Sequence, residues 1–170
     1  MAAPAMRLTM AIESTTDPAF LPRLIPRLAE EPLAKVIEES FVAPLIGPLL
    51  ERHRRSIEIL RDRSEFKQGT IYFDITDQDL EGYNKFIPYY LHPGSVYSVG
   101  LSSSSFRVKV AVGSNPWTNQ RNMVNLAKIC ERYGGGGHAR VGAISFPPDR
   151  ADEARRAAAE IVGELRASQH

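Results

Sequence analysis

Four consecutive glycines, Gly134 to Gly137, are followed by His138 and, two residues later, by Arg140. Without Cβ atoms, glycines can adopt positive φ and turn successive backbone N–H groups toward one point, which forms a concave site for phosphate or carboxylate oxygens. A histidine and an arginine beside such a site can add charge-assisted hydrogen bonds to the same anion. A flexible tether is a poor interpretation, because the glycines stand between a helix pattern and a strand pattern. The pattern favours anion binding, with a purely structural tight turn as the alternative.

Other constellations that could carry chemistry are weak. A calcium loop counted from Asp77 meets Pro88 at its twelfth position, where a bidentate glutamate is required. The acids tested in this way are Asp74, Asp77, Asp79 and Glu81. Thr76 or Asp77 is better explained as the cap of a short helix that follows. The histidines, at positions 53, 92, 138 and 170, lack zinc spacing, and no G-x-S-x-G elbow is present. We therefore predict no catalytic residue and no metal ligand in this chain.

The elements around the glycine run follow from hydrophobic patterning. Strands are indicated for TIYFDIT after Gly69, for Ser95 to Ser102, for Phe106 to Gly113 and for VGAISFP, the middle two forming a hairpin. An amphipathic helix is indicated from about Asn119 to Tyr133, with the single cysteine, Cys130, as a core thiol on its apolar face. A last helix, capped by Asp149, carries the apolar stripe of Ala154, Ala157, Ala158, Ile161, Val162 and Leu165.

Upstream, closely spaced prolines between Thr15 and Pro32 predict one or two short helices. The helical pattern after Pro32 is expected to break in two at Pro44, Gly47 and Pro48, and its arginine-rich part, Arg52 to Arg63, reads as a solvated face. The predicted fold class is α/β, with a mixed, largely antiparallel sheet of about four to five strands, flanking helices and an N-terminal helical segment.

Composition sets limits on the partners. The chain has 170 residues, 43% hydrophobic residues and a formal charge of +1, so anion binding must come from a local arrangement rather than from overall charge. No signal peptide or membrane-spanning run is evident, which predicts a soluble, cytoplasmic protein without a membrane partner. Apolar residues such as Leu45, Ile46, Leu49 and Leu50 are expected to be exposed and to favour a homodimer.

The segment NMVNLAKICERYGGGGHARVGAISF resembles the signature of the DHH-associated domain, the C-terminal partner of the catalytic domain in the DHH phosphoesterase superfamily. That superfamily includes oligoribonucleases, RecJ-type exonucleases, exopolyphosphatase-related proteins and cyclic-dinucleotide phosphodiesterases. The resemblance covers about Phe66 to Ser168. It implies an α/β domain over 66–170 and a connector-like helical segment over 1–65.

The resemblance also implies site residues. The loop that contacts the nucleotide or phosphate of the substrate in the family corresponds to Gly134, Gly135, Gly136, Gly137 and His138. Where oligoribonuclease-like members end a strand in an arginine-serine pair that helps to hold substrate, this chain has Gly113-Ser114-Asn115, so Ser114 and Asn115 are candidates and the arginine is missing. The segment after the histidine reads ARVGA instead of two alanines and a glycine, and Arg140 is expected to compensate.

The family's manganese-type ions are held by a DHH domain whose Asp-His-His triplet does not occur in this sequence. The resemblance therefore implies a substrate-binding domain that is inactive alone, with a DHH catalytic domain in cis or trans, no cofactor of its own, and a nucleotide or short oligonucleotide as ligand. The chain would then be a fragment of an enzyme, a separate subunit or an independent module. Two alternatives stay open: a nucleic-acid-binding module resembling the C-terminal domain of alanyl-tRNA synthetases, and an interaction domain whose arginine-rich helix docks a protein.

Overall fold

The structure is a computed structural model that describes residues 3–78, 80, 82–121 and 123–169. Asp79, Glu81 and His170, which entered the sequence argument above, lie outside the described residues. The chain divides into two compact units, Met1–Arg55 and Ser56–His170. None of the helices in the described part of the chain is long and apolar enough to cross a membrane.

The first unit is helical, as predicted for the segment before the sheet. Its elements are α1 (Pro4–Ser14), α2 (Phe20–Glu30), α3 (Leu33–Val36) and the first part of α4 (Ala43–Arg63). The core of this unit consists of Leu8, Ala11, Phe20, Leu24, Val36 and Val42. Leu45, Ile46 and Leu49 pack against that core. This packing removes most of the sequence argument for a homodimer, which stays a prediction.

The predicted helix break lies in the wrong place. Helix α4 continues through Pro48, and the chain breaks earlier, in the turns at 37–42 between α3 and α4. Pro44 stands in the first turn of α4, where a missing N–H costs nothing because helix-starting amides have no partner within the helix. Pro48 removes one hydrogen bond close to the same end, and burial of the flanking apolar residues outweighs that loss.

The second unit is built on a six-stranded sheet. Its strands are β1 (Glu65–Lys67), β2 (Thr70–Ile75), β3 (Tyr97–Ser103), β4 (Val108–Ser114), β5 (Gly136–His138) and β6 (Val141–Phe146). They lie in the order β1-β2-β3-β4-β6-β5. Only β2 and β3 pair in parallel, and the other pairs are antiparallel. The predicted mixed, largely antiparallel sheet is thus confirmed. It also contains two strands that were not predicted, β1 and β5, because three residues are too few to show the alternation of apolar and polar side chains typical of a strand.

The register gives the sheet two different faces, because directly opposite residues share a face and neighbours alternate. The first face carries Val99, Leu101, Val110, Val112 and Ile144 and packs against α6 (Leu126–Glu131) and α7 (Ala151–Ala167). All six residues of the predicted apolar stripe of α7 are buried there. The expected core thiol is also confirmed: Cys130 is buried, and burial raises the pKa of its thiol.

The second face packs against the end of α4 and against α5 (Ile87–Leu91), the short helix in the crossover from β2 to β3. Its cluster consists of Leu60, Ile71, Phe73, Ile75, Leu80, Ile87 and Tyr89. The ring of Phe73 lies over Gly100, where a Cβ atom would overlap with it. This face also carries the candidate site.

Helix α6 is much shorter than predicted. It begins at Leu126, not near Asn119, because the Asn125 side chain accepts a hydrogen bond from the Lys128 N–H at 3.3 Å and caps the helix. Just before the helix, the Val124 N–H donates to the Tyr97 hydroxyl at 2.9 Å. This amide therefore bonds to a side chain of strand β3 and not to a carbonyl four residues earlier, as it would within a helix. Met123 therefore packs on the first face from outside the helix.

Two predicted caps are also wrong. Asp149 lies in a 3₁₀ turn, Pro148–Arg150, and α7 starts after it without a side-chain cap. Asp77 does not cap α5, which begins ten residues later; its carboxylate pairs with Arg63 at 2.7 Å. The Thr76 hydroxyl is likewise occupied, because it donates to the Asp74 carboxylate at 2.7 Å.

Candidate functional site

The first half of the glycine run ends helix α6. Gly134 has φ of +75°, the left-handed conformation that commonly terminates helices and favours glycine. Its N–H donates to the Glu131 carbonyl at 3.1 Å, and the Gly135 N–H donates to the Cys130 carbonyl at 2.9 Å. These two amides are therefore already used by the helix end.

The second half of the run is a strand, not a loop. Gly136–His138 form β5, which pairs with β6 in the register Gly136↔Ala143, Gly137↔Gly142 and His138↔Val141. A Cβ atom on Gly137 would overlap with the Val141 carbonyl, and one on Gly135 with the Ala143 carbonyl. Two of the four glycines are thus required because the backbone of β6 approaches closely. The run turns the chain and delivers His138 to the edge of the sheet.

A cavity of about 440 Å³ opens on the second face of the sheet. Its floor is formed where β3 and β4 carry small residues, Ser98, Ala111 and Gly113, which leave space above the backbone. Its walls come from the crossover segment around Phe86, from the turn after β4, and from the start of β6. The volume lies within the range of about 300–1,000 Å³ that is usual for small-ligand sites.

Two cations, Lys85 and Arg140, line this cavity, and no described lining residue is a carboxylate. The remaining polar lining includes the hydroxyls of Ser98, Ser114 and Thr118. Positive charge in a concave site suits an anion, because the walls limit the screening of the charges by water.

Ser114 and Arg140 lie side by side, although 26 positions separate them in the sequence. The Ser114 N–H donates to the Arg140 carbonyl at 3.0 Å, and its hydroxyl donates to the same oxygen at 3.1 Å. The guanidinium of Arg140 also contacts the Met123 sulfur. Both residues line the cavity, so these two sequence candidates share one wall.

His138 lies at the edge of the sheet, in the cross-strand row that also contains Val141 and Gly113. It pairs with Val141, which pairs on its other side with Gly113. Because residues opposite one another share a face, the register puts His138 on the face that carries the cavity. The structure therefore gathers His138, Arg140 and Ser114 at one end of β4, β6 and β5.

Asn115, another residue that the sequence predicts for the site, is only 2% exposed, and its side chain hydrogen-bonds to backbone groups. Its amide NH₂ donates to the carbonyls of Ser95 at 2.8 Å and Pro93 at 3.3 Å. Its Oδ1 accepts from the Trp117 N–H at 3.0 Å. Asn115 thus fixes the turn that forms one cavity wall.

The two tyrosines that line the cavity, Tyr83 and Tyr89, are uncharged at neutral pH. Burial raises the pKa of Tyr89 to about 12, which the hydrogen bond to Ser98 at 2.8 Å partly offsets. Burial also raises the pKa of Tyr83. Both phenols remain protonated, so neither repels an anion. The Tyr89 hydroxyl lies over Gly113, 2.6 Å from where a Cβ atom would stand.

Sequence reasoning missed the residues that the crossover contributes, above all Lys85 and Phe86. A lone lysine in a stretch predicted as turn and short helix gives no signal by itself. Only the parallel pairing of β2 with β3 brings this segment over β4. Trp117, in the tripeptide Asn115-Pro116-Trp117, offered the one available clue, an aromatic residue in a polar turn.

The resemblance found in the sequence assigns manganese-type ions to a separate catalytic domain. Among residues 3–78, 80, 82–121 and 123–169, no three His, Cys, Asp or Glu side chains come together as a metal site would require. No chemical step is therefore assigned to a metal bound by these residues.

Comparison with known proteins gives matches among solved structures. No protein-family model matches the sequence, and no curated protein matches it. A pGpG-specific phosphodiesterase, PggH, from Vibrio cholerae matches with a TM-score of 0.67 and 18% identity, over 95% of this chain and 54% of that one. The chain thus spans about half the length of that phosphodiesterase, and at this identity the likeness concerns the fold.

Two further structures match less closely. An exopolyphosphatase-related protein from Bacteroides fragilis has a TM-score of 0.49 and 12% identity, over 88% of this chain and 45% of that one. The DHH domain of a protein from a family of ribosomal proteins has a TM-score of 0.45 and 15% identity, over 74% of this chain and 33% of that one. The match to the pGpG-specific phosphodiesterase, at a TM-score of 0.67, shows that this chain shares the fold of the corresponding half of that structure.

Proposed function

We propose that this chain is the substrate-binding domain of a DHH-type phosphoesterase and that it holds the phosphate of a nucleotide or short oligonucleotide between Lys85 and Arg140. The observation that carries the proposal is the cavity on the second face, with two cations and no described carboxylate in its lining. The fold supports the phosphoesterase class. The matched phosphodiesterase, which is described as specific for pGpG, supports a nucleotide as ligand.

In this proposal each polar residue has a distinct task. To bind the ligand, the Arg140 guanidinium leaves the Met123 sulfur and turns into the cavity. It then binds two phosphate oxygens at once, because its planar fork matches their spacing, whereas Lys85 supplies a point charge from the opposite wall. Ser114 holds the Arg140 backbone in place through its two bonds to the Arg140 carbonyl. His138 approaches the ligand from the edge of the sheet, next to Val141.

The main role of the glycine run is to position His138 and Arg140. Gly134 and Gly135 end α6, and Gly137 allows β5 to approach β6, so that His138 and Arg140 emerge at the same edge. Direct contact between the ligand and the backbone of Gly134 to Gly137 stays a prediction. For Gly134 and Gly135 it would require the opening of N–H bonds already made to helix α6.

Hydrolysis is assigned to a separate DHH catalytic domain, in cis or in trans, which would supply the manganese-type ions. Such ions activate water and stabilise the leaving oxygen. The residues of this chain bind and orient the substrate. Without them, the catalytic domain would lose the binding energy that positions the phosphodiester bond.

Equilibrium binding of a fluorescently labelled pGpG, followed by anisotropy, tests the proposal. Arg140→Ala and Lys85→Ala should each weaken binding about 10-fold or more, because hydrogen bonds to charged groups are worth roughly 1.5–3 kcal/mol. Arg140→Lys should restore only part of the loss, since the paired contact is missing. Arg156→Ala, which removes an exposed arginine from α7, is the matched control and should leave the affinity unchanged. Equal affinity for all four variants and the unmodified chain would refute the phosphate site.

A further inference from the structure

Two large aromatic rings stand at the rim of the cavity and are unusually exposed. Trp117 is 67% exposed and Phe86 is 41% exposed. Their ring centroids lie 5.5 Å apart, with an angle of 58° between the planes. This contact hides little of Trp117, so most of its apolar surface faces solvent. Exposed clusters of this kind at the edge of a pocket commonly mark a binding surface.

Both rings are held on fixed turns. Asn115 accepts the Trp117 N–H at 3.0 Å, and Asn84 accepts the Phe86 N–H at 2.9 Å. Pro116, which precedes the tryptophan, limits the backbone further. The pair is therefore already ordered, and a flat ligand that stacks on it loses little entropy through the ordering of side chains.

The rings adjoin the charges of the phosphate site. Phe86 lines the cavity next to Lys85, whose Nζ lies 5.3 Å from the Phe86 ring centroid. Pro116 and Thr118, on either side of Trp117, also line the cavity. A ligand that contacts both the cations and the rings must carry an anionic group and a flat aromatic group, separated by no more than the length of the cavity. A polyphosphate chain satisfies only the first requirement.

We propose that Trp117 and Phe86 form a stacking site for a nucleobase of the ligand whose phosphate lies against Lys85 and Arg140. The inference rests on the proposed phosphate site and adds the two residues that would bind the base of its nucleotide ligand. Stacking on an aromatic side chain tolerates every base, because each base has a π-face, so the site selects nucleotides over base-free phosphates without choosing a sequence.

The single tryptophan of the chain makes this contact directly observable. Trp117 fluorescence is titrated with GMP and, in parallel, with ribose 5-phosphate, which keeps the sugar and phosphate but lacks the base. GMP should quench the emission and bind roughly 5- to 100-fold more tightly than ribose 5-phosphate, the range expected for one stacked base. Ribose 5-phosphate should bind with little change in emission.

Variants separate stacking from a merely structural role, with affinity measured by calorimetry. Trp117→Ala should lose the preference for GMP and leave the affinity for ribose 5-phosphate unchanged, whereas Trp117→Phe should keep most of the preference. Phe106→Ala is the control, because Phe106 is 63% exposed but lies in the β3–β4 turn, away from the cavity. Its affinities for both ligands should be those of the unmodified chain.

The outcomes distinguish the two proposals. Equal affinities for GMP and ribose 5-phosphate, unaffected by Trp117→Ala, would overturn the stacking site and leave the phosphate site intact. If Trp117→Ala lowered the affinity for both ligands equally, the rings would have a structural role in holding the two turns together, and the stacking proposal would also be overturned. Binding of neither ligand to the unmodified chain would overturn both proposals.

Discussion

At the residue scale, the glycines of the run differ in what their surroundings require. Gly137 has φ of +151°, and a Cβ atom there would meet the Val141 carbonyl and the Gly142 Cα of the paired strand. Gly136 is its direct neighbour in the same short strand, yet a Cβ atom there would have no heavy atom within 4 Å. Although Gly136 and Gly137 are adjacent in the motif, a side chain fits at Gly136 and does not fit at Gly137.

Gly137→Ala should accordingly lower the free energy of unfolding by at least about 2 kcal/mol, since backbone atoms cannot move aside as a flexible side chain can. Gly136→Ala should change it by no more than about 0.5 kcal/mol. Urea unfolding of the two variants and the unmodified chain measures both values. A similar loss in the two variants would show that the run is not held as a paired strand.

The sequence predicts part of the candidate site for a physical reason. His138 and Arg140 are local neighbours of the glycine run, so their shared position follows from the motif itself. Lys85, Phe86 and Trp117 reach the same cavity only through the crossover between two parallel strands and the turn after β4. Such long-range placement depends on strand order, which no local spacing encodes.

At the element scale, periodic segments were predicted well and their ends poorly. Strands β2, β3, β4 and β6 and helix α7 have several residues in clear alternation or helical spacing. Helix α6 was overextended because residues before Asn125 keep an apolar pattern that serves the core from an irregular segment. Helix α4 was cut too early, because prolines near a helix start are tolerated where interior prolines are not.

The turn that joins β4 to the cavity wall gives an element-scale prediction. The Asn115 side chain makes three hydrogen bonds to buried or partly buried backbone groups, one within this turn and two in the segment between α5 and β3. Asn115→Ala should lower the free energy of unfolding by roughly 1–3 kcal/mol, because it leaves those groups without partners. It should also weaken nucleotide binding, because the wall that carries Trp117 loosens.

Asn84→Ala is the matched control for that experiment. Asn84 makes one comparable bond to a backbone N–H at an exposed position, so water replaces it and the cost should stay below about 1 kcal/mol. Urea unfolding is measured for both variants, and GMP binding for Asn115→Ala and the unmodified chain. If Asn115→Ala proved as mild as Asn84→Ala, the side chain would not be what fixes the turn.

At the scale of the whole molecule, the sheet of the second unit has one face that forms much of the core and another that carries the cavity. Its first face is covered by α6 and α7 and forms the largest buried cluster. Its second face carries an apolar cluster under α5 and, beside it, the strip of small residues that opens into the cavity. Composition and periodicity revealed that such a sheet forms. They did not reveal which part of it stays uncovered, since that depends on the path of the crossover.

The proposal that this chain binds the substrate and a separate domain hydrolyses it makes a prediction at this scale as well. The sequence contains no Asp-His-His triplet, and the resemblance assigns the metal ligands of the family to another domain. Incubated with pGpG and Mn²⁺, this chain should bind the dinucleotide but release no GMP, because metal-assisted attack on phosphorus requires carboxylate and imidazole ligands around the ions.

Chromatography of the reaction mixture and calorimetry on the same preparation give the two readouts. Binding that is weakened by Arg140→Ala, with no GMP formed by either protein, is the expected result. GMP formation that requires Mn²⁺ and disappears in the His138→Ala variant would contradict it, because the chain would then supply the reacting centre itself. A trace activity that is equal in both proteins would instead point to a copurified hydrolase, and a second purification step would remove it.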